Sequence, residues 1–428
     1  MDHMELPQFS PLEGDIKTDV LIIGGGLAGL LCAYRLKRAG VDCVLVEADR
    51  ICGGVSGLTT AKITTQHGLI GKKLLKQFGP ERARMYFDAN RTALEEYARL
   101  CSQIACDFAF RDSYVYATGS TRSLDEELLA LEELDVPAEF VRKVNLPLKT
   151  AGAVRFSGQA QFHPLKFVAG ILPDLRIYEN TKVLAYEGNH SVLTNRGRIT
   201  ADKIIVATHF PMFNKHGSYF LKLYQHRSYV LALKNAGKVD GMYVDQSKKG
   251  LSFRMAGEFL LLGGGSHRTG KQGGNWEQLR TFAEKTWPDA REGFHWATQD
   301  CMSLDGVPYI GQYAMTTPNL YVATGFNKWG MTSSMVAAMI LTDLVQGKEN
   351  AWADVFSPSR SMLRPQLLVN GWESASHLLS LKKPRCSHMG CALNWNPQER
   401  TWDCPCHGSR FEADGKLINN PANDDMKG

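Results

Sequence analysis

No stretch of this sequence approaches the roughly 18 consecutive apolar residues that a membrane-crossing helix requires, and none holds five successive Lys or Arg residues. The first absence leaves no candidate span. The second removes the usual basic footprint for nucleic acid or lipid headgroups, and a formal net charge of +5 on 428 residues assigns no partner by itself. Residues 1–18 carry Asp2, Glu5, Glu13 and Asp15 and lack the basic-then-apolar order of a secretory signal, so a cytoplasmic location is expected. Cysteine is too sparse for a disulfide scaffold. Of ten, Cys32, Cys43, Cys52, Cys101, Cys106 and Cys301 are scattered and read as reduced thiols, while four crowd between Cys386 and Cys406. With 44% hydrophobic and 22% charged residues, the chain is an ordinary globular one, long enough for two or three domains.

What is present begins with a βαβ unit. TDVLII reads as a buried strand, GGGLAG as a tight turn, LLCAYRLKRAG as a helix, and VDCVLVE as a second strand ending at Glu47. Gly24-x-Gly26-x-x-Gly29, with Leu27 and Ala28 between, opens the helix, so backbone N–H groups and the helix N-terminus face a pyrophosphate. Glu47, followed by Ala48, is placed to accept from ribose hydroxyls. This fingerprint reads as dinucleotide binding without choosing between NAD and FAD. From about Pro80 to Leu131 the apolar spacing is helical. The middle of the chain is strand-rich, and NLYVATGFNKWGMTSSMVAAMILTDLVQG returns to strand and helix.

From about Lys17 to Gly347 the sequence resembles the D-amino-acid-oxidase/glycine-oxidase superfamily of FAD-dependent oxidoreductases. The likeness is carried by the fingerprint, GGVSGLTTAKITTQHG, QFHPLKFVAGIL, TKVLAYEG, ADKIIVATHFP, and SLDGVPYIG followed by GFNKWGMTSS. It implies FAD, with Gly54, Thr59, Thr60, Ala61 and Lys62 along the flavin, Val183 and Thr208 at the ADP half, and Gly325, Gly330 and Met331 in the C-terminal flavin segment. No second GxGxxG turn is present, so no tight nicotinamide site is expected. Many amine oxidases of the superfamily place a lysine near the LLLGGGSHRTGKQGGN segment to assist oxygen. Leu260, Leu261 and Leu262 stand there, which favours a dehydrogenase.

The C-terminus supplies Cys386-Ser-His388 and, after fifteen residues, Cys404-Pro-Cys406-His407. Two thiolates and two imidazoles in this order are the ligand set of a Rieske [2Fe–2S] centre, although two Cys and two His can also hold structural zinc. CSHMGC and CPCHGS resemble the loops of cytochrome-bc-type Rieske domains, a likeness that implies a disulfide between Cys391 and Cys406. Only 43 residues run from Cys386 to Gly428, short for such a domain.

The expected fold is therefore α/β. A Rossmann-like FAD-binding part (about 17–80, 150–210 and 300–348) combines with a strand-rich substrate part (about 81–149 and 211–299) within 15–360, followed by a linker at 361–381 and a small all-β Rieske module at 382–428. Arg227 and Arg254 are candidate carboxylate anchors because the guanidinium fork matches a carboxylate. His267 is a candidate base, Lys328 and Trp329 are ring neighbours, and His67 reads as a satisfied core histidine. The expected activity is oxidation of a small amine or amino-acid-like substrate, with electrons leaving through the cluster to a ferredoxin, flavodoxin or quinone. The same parts could run as a reductase, or as an electron-transfer or redox-sensing protein without a small substrate.

Overall fold

The computed structural model describes residues 4–188, 190–213, 216–247, 250–381 and 384–426. TDVLII lies in strand Ile16–Ile23, which pairs in parallel with Cys43–Val46 on one side and Arg198–Val206 on the other. Leu320–Thr324 extends this sheet in parallel and Tyr309–Gln312 closes that edge antiparallel. Between the first two strands runs helix Leu27–Arg38, whose Leu27, Leu30, Leu31 and Leu36 are buried. It packs against Gly330–Val345, a helix buried nearly all round. The Gly-rich turn thus opens at the carboxyl ends of the central strands, where α/β sheets bind ligands.

A second, nine-stranded sheet forms the cap. Its spatial order is Arg291–Ser303, Leu223–Lys234, Phe259–Arg268, Ser252–Ala256, Met242–Asp245, Ala109–Ala117, Gly152–Gln161 and Lys62–Ile63, with Glu139–Val141 beside Gly152–Gln161. The helical stretch expected from Pro80 starts earlier, at Gly71, and runs to Cys101 with a break at Gly79, whose φ of +77° precedes Pro80. Proline lacks the N–H that a helix interior needs but suits a first turn, so the second half of the helix starts afresh there. LLLGGG lies, as its apolar run suggests, in a strand, Phe259–Arg268: Gly263 packs so closely on Ser252 that a Cβ would lie 2.5 Å from its Oγ.

The third unit is a four-stranded meander, Asn394–Asn396, Thr401–Asp403, Arg410–Phe411 and Leu417–Asn419, around Cys386, Cys391, Leu393, Cys404, Cys406 and Phe411. The segment read as a linker holds a helix, Pro365–Leu379. No helix among the described residues is long and apolar enough to cross a membrane.

Candidate active site

A cavity of about 890 Å³ runs from Glu47 and Val183 past the Gly-rich turn to Thr59, Gly325 and Lys328. Gly24, Gly26, Leu27, Ala28, Ala48, Gly54, Thr208, Gly330 and Met331 also line it; Gly29, Thr60, Ala61 and Lys62 stand behind its wall. The cradle leaves no room for side chains. Gly24 has φ +112° and a Cβ there would meet the Ala207 carbonyl at 2.6 Å, while a Cβ on Gly29 would lie 2.0 Å from Gly24 O. Glu47 accepts from the N–H groups of Gly25 (2.6 Å) and Asp49 (3.1 Å); burial raises its carboxyl while these bonds lower it. Ser56, which sequence reading missed, accepts the Leu27 N–H at 2.9 Å. A long cleft with a bare backbone turn at a helix N-terminus and an acid bonded to that turn fits an FAD. Gly29→Ala forces the helix off the turn, and we expect FAD retention to fall about tenfold or more, read as the flavin-to-protein absorbance ratio after gel filtration.

At the other end of the cavity, Asp300 and Lys328 put opposite charges on the wall. Burial raises the Asp300 carboxyl, and Lys328 and Arg227 counter it. Lys328 Nζ donates to Ser228 Oγ (3.0 Å) and Ser266 Oγ (2.5 Å). Asp300 carries no motif by which sequence could have found it. Trp329 stacks on His67 at 5.0 Å, and His67 is held by the Tyr86 hydroxyl (2.6 Å), Thr64 O and Thr332 Oγ1, its pKa pushed by burial down to about 3. His267 lies off the cavity wall, stacked on Tyr229, with Nδ1 at 3.1 Å from Gly265 O.

The two arginine candidates part company. Arg227 cannot serve as a free carboxylate anchor: it is ion-paired to Glu399 of the C-terminal unit, both side chains under 10% exposed, and Glu399 also pairs with Arg410 at 2.8 Å. Arg254 is buried off the cavity wall beside Lys62, with its Nε unsatisfied. Neither cation has an acidic partner among the described residues; burial and mutual repulsion lower Lys62 to about 7, and burial lowers Arg254 to about 10.

The cysteine-rich loops form a second centre. The Sγ atoms of Cys391, Cys404 and Cys406 lie within 4.8 Å of one another, and the Cys386 thiol bonds to Cys404. His388 and His407 meet edge to face at 5.0 Å. Both ring nitrogens of His407 are buried without a hydrogen-bond partner among the described residues. Burial holds His388 and His407 neutral, near 4 and 3, as metal ligation by imidazole requires. Crowded thiols and a His407 ring with both nitrogens buried and unbonded fit a [2Fe–2S] cluster held by two Cys and two His. The expected Cys391–Cys406 disulfide is not formed: all ten cysteines are thiols, and Cys391 shares its bonds between Cys404 and Cys406.

The histidine edge of this centre faces the dinucleotide unit. Phe210 packs on His388 and His407 at 6.2 and 6.3 Å, and Phe220 on His407 at 6.4 Å. Gln225 Nε2 donates to the carbonyls of His407 (2.9 Å) and Asn420 (3.1 Å), and Gln299 Nε2 to Gly408 O (2.8 Å) and Gln225 Oε1 (2.7 Å). Asn420 Nδ2 returns to Thr208 O (2.6 Å) and Phe210 O (3.1 Å). Glu399, Arg410 and residues Leu417 to Asn420 of the C-terminal unit line the same cavity as the Gly-rich turn.

Residues 19–344 match the DAO family, described as FAD dependent oxidoreductase, and residues 368–428 match the Rieske [2Fe-2S] domain. The chain is 35% identical to the Bacillus subtilis protein YhfW, named as a Rieske 2Fe-2S iron-sulfur protein, over 98% of this chain and 94% of that one. It is 25% identical to gamma-glutamylputrescine oxidoreductase of Escherichia coli, over 79% and 86% of the two chains. Glycine oxidase from Geobacillus kaustophilus has a similar fold, with a TM-score of 0.68 at 19% identity, covering 81% of this chain and 99% of that one.

Proposed function

Since the chain belongs to the DAO family of FAD-dependent oxidoreductases and carries a Rieske [2Fe–2S] domain after it, we propose that it oxidises a small amine or amino-acid-like substrate at a CH–NH bond and delivers the electrons through the cluster to an external carrier. FAD, when bound, supplies a two-electron acceptor, and the cluster a one-electron one. What the protein's own residues contribute is position and shielding.

The observation that carries this reading is the burial of the histidine edge against Phe210, two residues beyond Thr208 in the wall of the dinucleotide cavity. The Gln225–Gln299 pair fixes the His407 loop to that wall, so the separation of the two centres is set by packed side chains and not by a tether. In the same cavity, Asp300 suits a substrate ammonium and Lys328 its carboxylate, a pair that supports an amino-acid-like substrate over a redox sensor without one. The oxidoreductase names of the relatives agree with an amine or amino acid. Ferredoxin, flavodoxin and quinone are the carriers to try. Electrons entering through the cluster would use the same contacts in reverse.

Purified anaerobically and mixed with candidate secondary amines and amino acids, the protein is expected to lose its oxidised-flavin absorbance and gain the reduced Rieske EPR signal. Cys404→Ser should keep the substrate-driven absorbance loss and lack the signal. Zinc in place of iron, or a cluster that stays oxidised while the flavin bleaches, would overturn the proposed electron route.

A further inference from the structure

Neither Lys62 nor Arg254 lines the cavity, yet the cap sheet brings the two cations together. Lys62 lies directly opposite Gln161 on the neighbouring strand, so the two side chains leave the sheet on the same face. Gln161 Nε2 reaches across to the Met255 carbonyl at 3.1 Å, and Arg254 Nη1 turns back to that carbonyl at 3.2 Å. An ammonium and a guanidinium thus flank one amide. No acid answers them among the described residues. Lys62 Nζ donates only to Thr60 Oγ1, at 3.1 Å, and Arg254 only to Met255 O, while Arg254 Nε is buried with no partner. Asp107, which acts on the neighbouring His163, is paired with Lys166 at 2.8 Å. Arg227 and Arg410, the other buried arginines among the described residues, each have a carboxylate. Burying a cation without a counter-charge is costly, and two of them on one face repel each other as well, so an anion from outside the chain completes the arrangement.

We propose that Lys62 and Arg254 form a binding site for a small free carboxylate of the formate or acetate kind, separate from the substrate end of the cavity. The shape of the donors selects that ligand. With Nη1 committed to Met255 O, the guanidinium keeps the edge made by Nε and Nη2, whose parallel N–H groups match the two oxygens of a carboxylate. Lys62 Nζ has protons left for the outer lone pairs. A spherical halide has no use for a paired edge. A phosphate carries more oxygens and charge than these donors satisfy, beside an arginine that is 4% exposed. Lys62 is the more exposed of the two and leaves the ligand a way in from solvent. Asp300 and Lys328 lie on the cavity wall and these two cations do not, so the proposal stands on its own geometry and does not depend on the substrate reading.

The test is urea unfolding of the full-length holoprotein in carboxylate-free buffer, titrated with sodium formate against sodium chloride at equal ionic strength. The parent midpoint should rise with formate and saturate, with a dissociation constant on the order of 1 mM, the limit that a ligand of three heavy atoms allows, and chloride should give no saturable rise. Line broadening of 13C-formate in the presence of the folded protein reads the same constant without unfolding. Lys62→Met, whose folding is checked by unchanged flavin absorbance and cluster EPR, should weaken formate binding about tenfold or more by both methods. No formate binding to the parent, or equal binding to parent and Lys62→Met, overturns the proposal. So does binding that Lys328→Met abolishes and Lys62→Met keeps, which would seat the carboxylate at the substrate end of the cavity.

Discussion

Replacing Glu399 by Gln is expected to unseat the C-terminal unit and release its iron while leaving FAD in the main body. Glu399 sits between two guanidinium groups, Arg227 at 3.0 Å and Arg410 at 2.8 Å, and takes the Tyr229 hydroxyl at 3.3 Å; Arg410 is further held by Asp403 at 3.0 Å. All four charged side chains are under 10% exposed. Taking the carboxylate away leaves Arg227 buried with no acid of its own and Arg410 with only Asp403. Breaking a buried pair on one side costs about 3–5 kcal/mol, most of it the desolvation of the abandoned charge. Arg227 belongs to the cap sheet and Glu399 to the meander, so the cost falls on the contact between units. Iron content and EPR amplitude should drop while the flavin absorbance is retained. Unchanged iron and an unchanged denaturation midpoint would mean that the pair contributes no docking energy.

The second large effect is a pH dependence set by Lys62. Its ammonium, beside Arg254 and with no acidic partner among the described residues, is lowered from 10.5 to about 7. The unfolded chain therefore binds more protons than the folded one between about pH 7 and 10.5, and this residue's contribution to stability rises with pH across that window. Below about pH 7 the penalty is constant and complete. Lys62→Met should thus stabilise the protein near pH 7 by about 3–4 kcal/mol, allowing for partial exposure, with the gain shrinking toward zero near pH 10.5. Urea unfolding of parent and variant at pH 7 and pH 9.5 checks the sign. A gain that is equal at both pH values would place its origin in packing and not in charge.

Local chemistry explains what could be read without coordinates. The Gly24–Gly29 turn and the CSH and CPCH loops each work within a few residues, so their spacing is itself the geometry. Contacts between distant segments were not legible. Arg227 meets an acid 172 positions away, which turned an expected substrate anchor into a structural ion pair. Asn420 reaches Thr208 across 212 positions. The strand through Gly263 to Gly265 was legible, but not the close approach to Ser252 and Tyr229 that the missing side chains allow. The helix in the linker escaped notice because its apolar residues face outward and mark no core. Asp300 was missed because a single carboxylate on a strand has no signature until a cavity opens beside it.

The strand Leu417–Asn419 bears on how FAD reaches its cleft. Leu417 to Asn420, with Ala422 and Asn423, form part of the wall around the cavity, and Lys182 in the same wall bonds to the Asn423 carbonyl. The C-terminal unit therefore covers the compartment that the Gly-rich turn opens. A docked C-terminal unit is then expected to slow FAD uptake by the apoprotein, and Glu399→Gln to speed it, read as the rate of flavin binding on mixing.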